Sequence, residues 1–235
     1  PAVKVMLLCN PHNPAGRVWT REELTRIGDI CLRHGLTVIS DEIHCELVYP
    51  GHKYIPFASV SQDFLEHSVT CISPTKSFNI AGLQIAAIVC HSPELRARID
   101  KAININEVCD VNPFGVIATI AAYNESEDWL LQLIDYLHGN YEYMQSYCSK
   151  HLPELPLTRL EGTYLVWMDC SRLPLRSEVL EEKLLNDSGL WLNAGEMYGP
   201  EGKDFLRWNI ACPRALLAEG LERFRGYVSA TWPGK

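Results

Sequence analysis

Four short apolar runs mark the first part of the chain: "VKVMLLCN" (3–10), "GLTVISDE" (35–42), "VTCISPTK" (69–76) and "QIAAIVC" (84–90). They mostly lack the apolar–polar alternation of half-solvated strands, so the pattern predicts strands covered on both faces, as in a parallel sheet. Between the first two, Leu24, Ile27 and Cys31 recur at helical spacing. Thr20 and Glu23 form a capping box ahead of that stripe, and Gly35 stands where the helix should stop. Strand, helix and strand at this spacing make a βαβ unit, and the opening half reads as α/β.

The middle of the chain changes period. Helices are predicted over Pro93–Ile103 and Asn112–Tyr123, then a longer one over Glu127–Lys150. Its stripe of Leu130, Leu133, Leu137, Tyr141, Met144 and Cys148 reads as core packing, and Pro153 and Pro156 stop it. Beyond lie a strand in "GTYLVWMD" (162–169), a helix from Ser177 to Asn186 capped by Ser177, and a strand in "DFLRWNIAC" (204–212). A last helix carries Leu217, Leu221, Phe224 and Val228 on one face. The expected division is a first domain over 1–125, a connecting helix over 126–152 and a smaller α/β domain over 153–235.

Composition narrows the function classes. With 235 residues, 47% hydrophobic and 21% charged, the chain suits one large or two modest folded domains. A net charge of −8 without a basic run argues against nucleic-acid partners, and the apolar runs are too short to cross a membrane. Nine cysteines, an odd number with no C-x-x-C, read as free thiols in a reducing cytoplasm.

In open α/β sheets, ligands gather at the carboxyl ends of the strands. Those ends carry "NPHNPAG" with Asn10 and Asn13, "DEIH" with Asp41 and His44, and "SPTK" with Ser73 and Lys76. Lys76 precedes Phe78, Ile80 and Leu83, so it either snorkels from a strand end or serves as a nucleophile in a partly apolar cleft. A lysine able to form a Schiff base, with a carboxylate for a pyridinium nitrogen on the same rim, is what pyridoxal 5'-phosphate (PLP) requires. Simpler roles exist for each residue. Asn13 suits an Asx turn, Arg207 suits a structural ion pair, and Asp41 and Glu42 suit a helix N-terminus, with Glu42 the better candidate for that role. His12, His44 and His52 lack the spacing of metal ligands.

"NPHNPAG", "SDEIH", "SPTKSFNIAGLQ" and "FLRWNIACPR", in this order, resemble the fold-type I PLP-dependent enzymes of the aminotransferase class I/II group. "CNPHNPAGRVWTREEL", "SDEIHCELVYPGHKYIPFAS" and "EGTYLVWMDCS" resemble its branch of cystathionine β-lyases and the maltose-regulon modulator with C–S lyase activity. The resemblance implies PLP as cofactor, attached to Lys76, which is also the base at the substrate's Cα. It implies Asp41 at the pyridinium nitrogen, Asn13 at the phenolic oxygen, His44 beside the ring, Ser73 at the phosphate and Arg207 on the substrate's α-carboxylate. It further implies a homodimer acting on a small amino acid. The expected activity is C–S β-lysis of cystathionine or a cysteine conjugate to a thiol, pyruvate and ammonia. The alternatives are an aminotransferase, or a regulatory or binding protein on the same fold.

Two departures from the group qualify the resemblance. Gln84 stands in the region where many members carry a phosphate-binding arginine. Members also have a substantial segment before the position of "NPHNP", with a glycine-containing phosphate loop and a ring-stacking aromatic. The resemblance therefore implies the C-terminal part of such an enzyme, including the latter part of its large domain, and weak cofactor binding by these residues alone.

Overall fold

A computed structural model describes residues 3–108 and 110–232. The chain divides into two compact units, one formed by the residues up to His12 with Arg17–Leu133, the other by Asn13–Gly16 with the residues from Ile134 onward.

The first unit is built on a four-stranded sheet, with β1 (Val5–Cys9), β2 (Thr37–Asp41) and β3 (Ser68–Ile72) parallel and β4 (Ala87–Cys90) antiparallel to β3. Helix α1 (Arg21–Arg33) connects β1 to β2, with the capping box of Thr20 and Glu23 formed and Gly35 at φ +61° just past its end. The left-handed backbone there suits glycine, which has no Cβ to clash. Leu24 and Cys31 of α1 meet Leu8, Val38, Phe57 and Phe64 in the core. Phe64 belongs to a short helix, α2 (Gln62–Glu66), and its ring stacks on Phe57 with centroids 5.0 Å apart. A Cβ at position 28 would lie 2.1 Å from the Phe64 ring, so Gly28 lets α1 and α2 approach. Helices α3 (Pro93–Ile105) and α4 (Pro113–Glu125) complete this unit, together with the start of α5 (Glu127–His151).

One expectation fails at the sheet's edge strands. Leu7 of β1 is 73% exposed, and Ile88 and Val89 of β4 are about half exposed. Successive side chains of a strand point to opposite faces, so Leu8 enters the core beneath α1 while Leu7 faces away from it. Among the described residues these edge positions are open on one face, and the expectation of strands covered on both sides does not hold there.

The second unit holds a three-stranded antiparallel sheet in the order β5–β7–β6: β5 (Leu165–Asp169), β6 (Asn193–Ala194) and β7 (Phe205–Asn209). Helices α6 (Ser177–Ser188) and α7 (Arg214–Thr231) and the later part of α5 accompany it. The α5 stripe is buried only from Leu137 onward; Leu130 and Leu133 are half-buried. Asn140 interrupts that stripe while fully buried. Its amide donates to the carbonyls of Ile210 (2.8 Å) and Cys212 (3.0 Å) and accepts from Arg214 Nε (2.5 Å), so the end of β7 is tied to α5. Ser177 is not the cap of α6. Arg176 takes the cap position, and the buried Ser177 hydroxyl instead accepts from the Glu196 amide at 3.3 Å.

Candidate active site

Strands β2 and β3 are parallel neighbours, with Asp41 paired in register to Cys71. The chain therefore leaves both strands on one rim, at Asp41 and at the turn that begins with Ser73. Asp41 is exposed, and its Oδ1 accepts the Ile43 amide at 3.2 Å in an Asx turn. Beside it, burial and then the charges of Asp41 and Glu42 push the Cys71 thiol up, which keeps it protonated and neutral. Lys76 is half-buried in a tight turn closed by Phe78 N to Pro74 O (2.9 Å) and Ile80 N to Thr75 O (3.1 Å). Among the described residues its amine has no hydrogen bond or ion pair.

Glu42 does something other than expected. No helix starts at Asp41 or Glu42; the chain turns instead, and Glu42 is 1% exposed. Its carboxylate accepts from the Ser40 hydroxyl (2.8 Å), the Phe57 amide (3.0 Å) and the Tyr54 hydroxyl. A buried carboxylate is tolerated only when its oxygens are satisfied in this way. Burial and the Glu42 bond raise the Tyr54 pKa, so Tyr54 remains a donor. Glu42 thus staples the segment after β2 to the loop containing Tyr54 and Phe57.

Ser73 opens the turn that carries Lys76. It is buried, and its hydroxyl lies 2.5 Å from the Ile85 carbonyl and 2.8 Å from Thr75 Oγ1, while accepting the Thr75 amide at 3.1 Å. A hydroxyl has one proton, and here local carbonyl and hydroxyl acceptors engage it. As placed, the Ser73 hydroxyl shapes the turn ahead of Lys76. His44 is buried as well, at 3% exposure.

Asn13 and Arg207 fall in the second unit and touch each other. Arg207 Nη1 donates to Asn13 Oδ1 at 2.9 Å, and Nη2 donates to Asn193 Oδ1 at 2.5 Å. The guanidinium also lies over the Tyr198 ring, 5.1 Å from its centroid. Its Nε is buried without a partner, and among the described residues Arg207 forms no ion pair. The structural ion pair that an arginine in an apolar strand suggests is therefore absent there. Neutral amides hold the guanidinium in place without neutralising it, which leaves its charge for a carboxylate. Arg207 and Asn193 also line an open cavity of about 350 Å³ with Trp191, Cys212 and Leu216.

The donor set fits part of PLP. An exposed carboxylate and an unpartnered lysine amine on one rim suit the ring nitrogen and the aldehyde carbon. The phosphate is less well served, since the Ser73 hydroxyl is engaged and Gln84 contributes only an exposed neutral amide. Sequence reasoning missed Glu42 as a buried staple, and it missed Asn193 and Tyr198 beside Arg207. These contacts link positions distant in sequence, and no local pattern announces them.

The chain belongs to the family of class I and II aminotransferases, whose model matches residues 1–224. Among curated relatives it is similar to cystathionine beta-lyase PatB of Bacillus subtilis strain 168, 42% identical over 97% of this chain and 59% of that protein. Among solved structures it resembles cystalysin from Treponema denticola, which contains a pyridoxal 5'-phosphate cofactor. The TM-score is 0.94 at 32% identity, covering 97% of this chain and 58% of that one. The PLP-bound C-S lyase from Staphylococcus hominis gives a TM-score of 0.89 at 32% identity, over 97% of this chain and 59% of that one. The chain thus spans under three-fifths of the length of each.

Proposed function

We propose that the protein is a PLP-dependent C–S β-lyase acting on cystathionine or a cysteine conjugate. The observation that carries the reading is the shared rim of Asp41 and Lys76, in a chain similar to one protein named as a cystathionine beta-lyase and one named as a C-S lyase. PLP supplies, when bound, a sink for the electrons left on the substrate's Cα. Lys76 would hold the group and would move the proton at the substrate's Cα. Asp41 would face the ring nitrogen, and Asn13 would offer its amide to the phenolic oxygen. Arg207 grips the α-carboxylate, aimed by Asn13 and Asn193. His44 would lie beside the ring and Ser73 would face the phosphate from the turn ahead of Lys76. In the net reaction, water and the amino acid give a thiol, pyruvate and ammonia.

The reading includes a homodimer in the cytoplasm. Exposed Phe114, Ile117 and Ile120 on α4 support a subunit contact, and the eight described cysteines, all free, fit a reducing compartment. No helix among the described residues is long and apolar enough to cross a membrane.

The test uses the protein expressed from its complete gene. Cystathionine with PLP is expected to yield pyruvate and a thiol in equal amounts without any keto acid added. Transfer of the amino group to a keto acid, with no thiol released, would overturn the lyase reading in favour of an aminotransferase.

Arg207→Ala is expected to raise the KM for cystathionine about 100-fold, from the loss of charge-assisted bonds each worth about 1.5–3 kcal/mol. Arg207→Lys should recover only part of this, because an ammonium cannot make the paired contact. An unchanged KM would make Arg207 a structural residue held by Asn13 and Asn193.

A further inference from the structure

Lys76 has a long, flexible stem, so where its amine reaches depends on how firmly its backbone is held. On the N-terminal side the Ser73 hydroxyl fixes the turn through Thr75 and Ile85. The C-terminal side has a separate anchor. Ser77, directly after Lys76 and fully buried, donates its hydroxyl to Glu46 Oε2 at 2.7 Å. Glu46 lies on the segment after β2, the one that starts with Asp41. The Tyr123 ring of α4 lies nearby; burial first, and then the charge of Glu46, hold its pKa above the usual tyrosine value. Phe78 continues the same anchor, edge-on to Tyr123 at 5.8 Å and stacked on Trp129 at 6.1 Å.

The geometry points to Glu46 as a positioning residue for Lys76: through Ser77 it locks the lysine's turn to the segment bearing Asp41. The inference rests on the PLP reading above and assigns a role that the reading does not contain. Glu46 has no contact with the lysine amine among the described residues, so it acts through the backbone. The Glu46 carboxylate offers two acceptor oxygens, one of which takes the Ser77 hydroxyl.

The test is a double-mutant cycle in the protein expressed from its complete gene, with Ser77→Ala, Glu46→Ala and the pair, and Glu46→Gln as the conservative variant. Each alanine variant is expected to lower kcat about 10- to 100-fold while KM for cystathionine moves less than about threefold. The visible absorption of lysine-bound PLP, and the yield of borohydride-fixed cofactor on Lys76, should fall in the same variants. The double variant should be no worse than the poorer single one, because both remove one bridge. Glu46→Gln keeps an oxygen acceptor and should recover most of the loss. It also serves as the variant of reference if Glu46→Ala does not fold.

Additive losses, a rise in KM matching the fall in kcat, or unchanged labelling of Lys76 would each overturn the assignment. If borohydride fixes no PLP on Lys76 of the unaltered protein, the PLP reading itself fails and this role with it. Normal labelling of the unaltered protein with indifferent variants would overturn only Glu46.

Discussion

Lys76→Ala is expected to abolish turnover while leaving the fold intact. Loss of positioned proton transfer alone costs about 100- to 10,000-fold, and the covalent hold on the cofactor is lost with it. Stability should change by less than about 0.5 kcal/mol, since the amine is half-buried and bonded to nothing among the described residues. Two measurements check this together. Denaturant unfolding should give the same midpoint for both proteins. Borohydride reduction with PLP, followed by peptide mapping, should label Lys76 in the unaltered protein and nothing in the variant. A label on Lys53 or Lys101, or a variant that keeps its turnover, would overturn the assignment.

How much of this was legible beforehand follows a physical divide. Most local signals were read correctly: the capping box of Thr20 and Glu23, the stop at Gly35, and Leu217, Leu221 and Phe224 of the last stripe, though Val228 is only half-buried and Ser177 is not a cap. Each depends on neighbours within a few positions, where periodicity and capping chemistry are informative. Family membership was legible for another reason, since four motifs stand in order along the chain. What escaped depends on long-range contact. Nothing in "SDEIH" says that Glu42 turns inward to meet Phe57 and Tyr54, and an acidic pair after a strand looks the same whichever member is buried. "SPTK" likewise does not show that Ser73 bonds the Ile85 carbonyl. The coverage of an edge strand is also invisible in its own residues, as Leu7 and Leu8 illustrate with opposite fates.

The adjacent acids Asp41 and Glu42 should separate chemistry from stability. Asp41 is exposed and bonded only to the Ile43 amide of its own turn. Asp41→Ala is therefore expected to cost at most about 1 kcal/mol of stability. It should lower turnover by about three orders of magnitude, or about 4 kcal/mol of activation free energy, since the charge meant for the ring nitrogen is gone. Glu42 is the reverse case. Glu42→Ala strips the acceptor from three donors, the Ser40 hydroxyl, the Phe57 amide and the Tyr54 hydroxyl, in a site closed to water. Each donor left unsatisfied costs about 1–3 kcal/mol, so a loss of roughly 3–9 kcal/mol is expected from the three, with a matching fall in the denaturation midpoint. Turnover per folded molecule should then fall far less than in Asp41→Ala. Glu42→Gln should lie between, because its amide retains one acceptor oxygen and turns a second donor toward the other donors. Urea titrations of the three variants, with turnover measured well below each midpoint, decide the matter. Should Glu42→Ala keep its midpoint and lose turnover as Asp41→Ala does, Glu42 would be the carboxylate that serves the ring, and Asp41 only the residue that makes the turn.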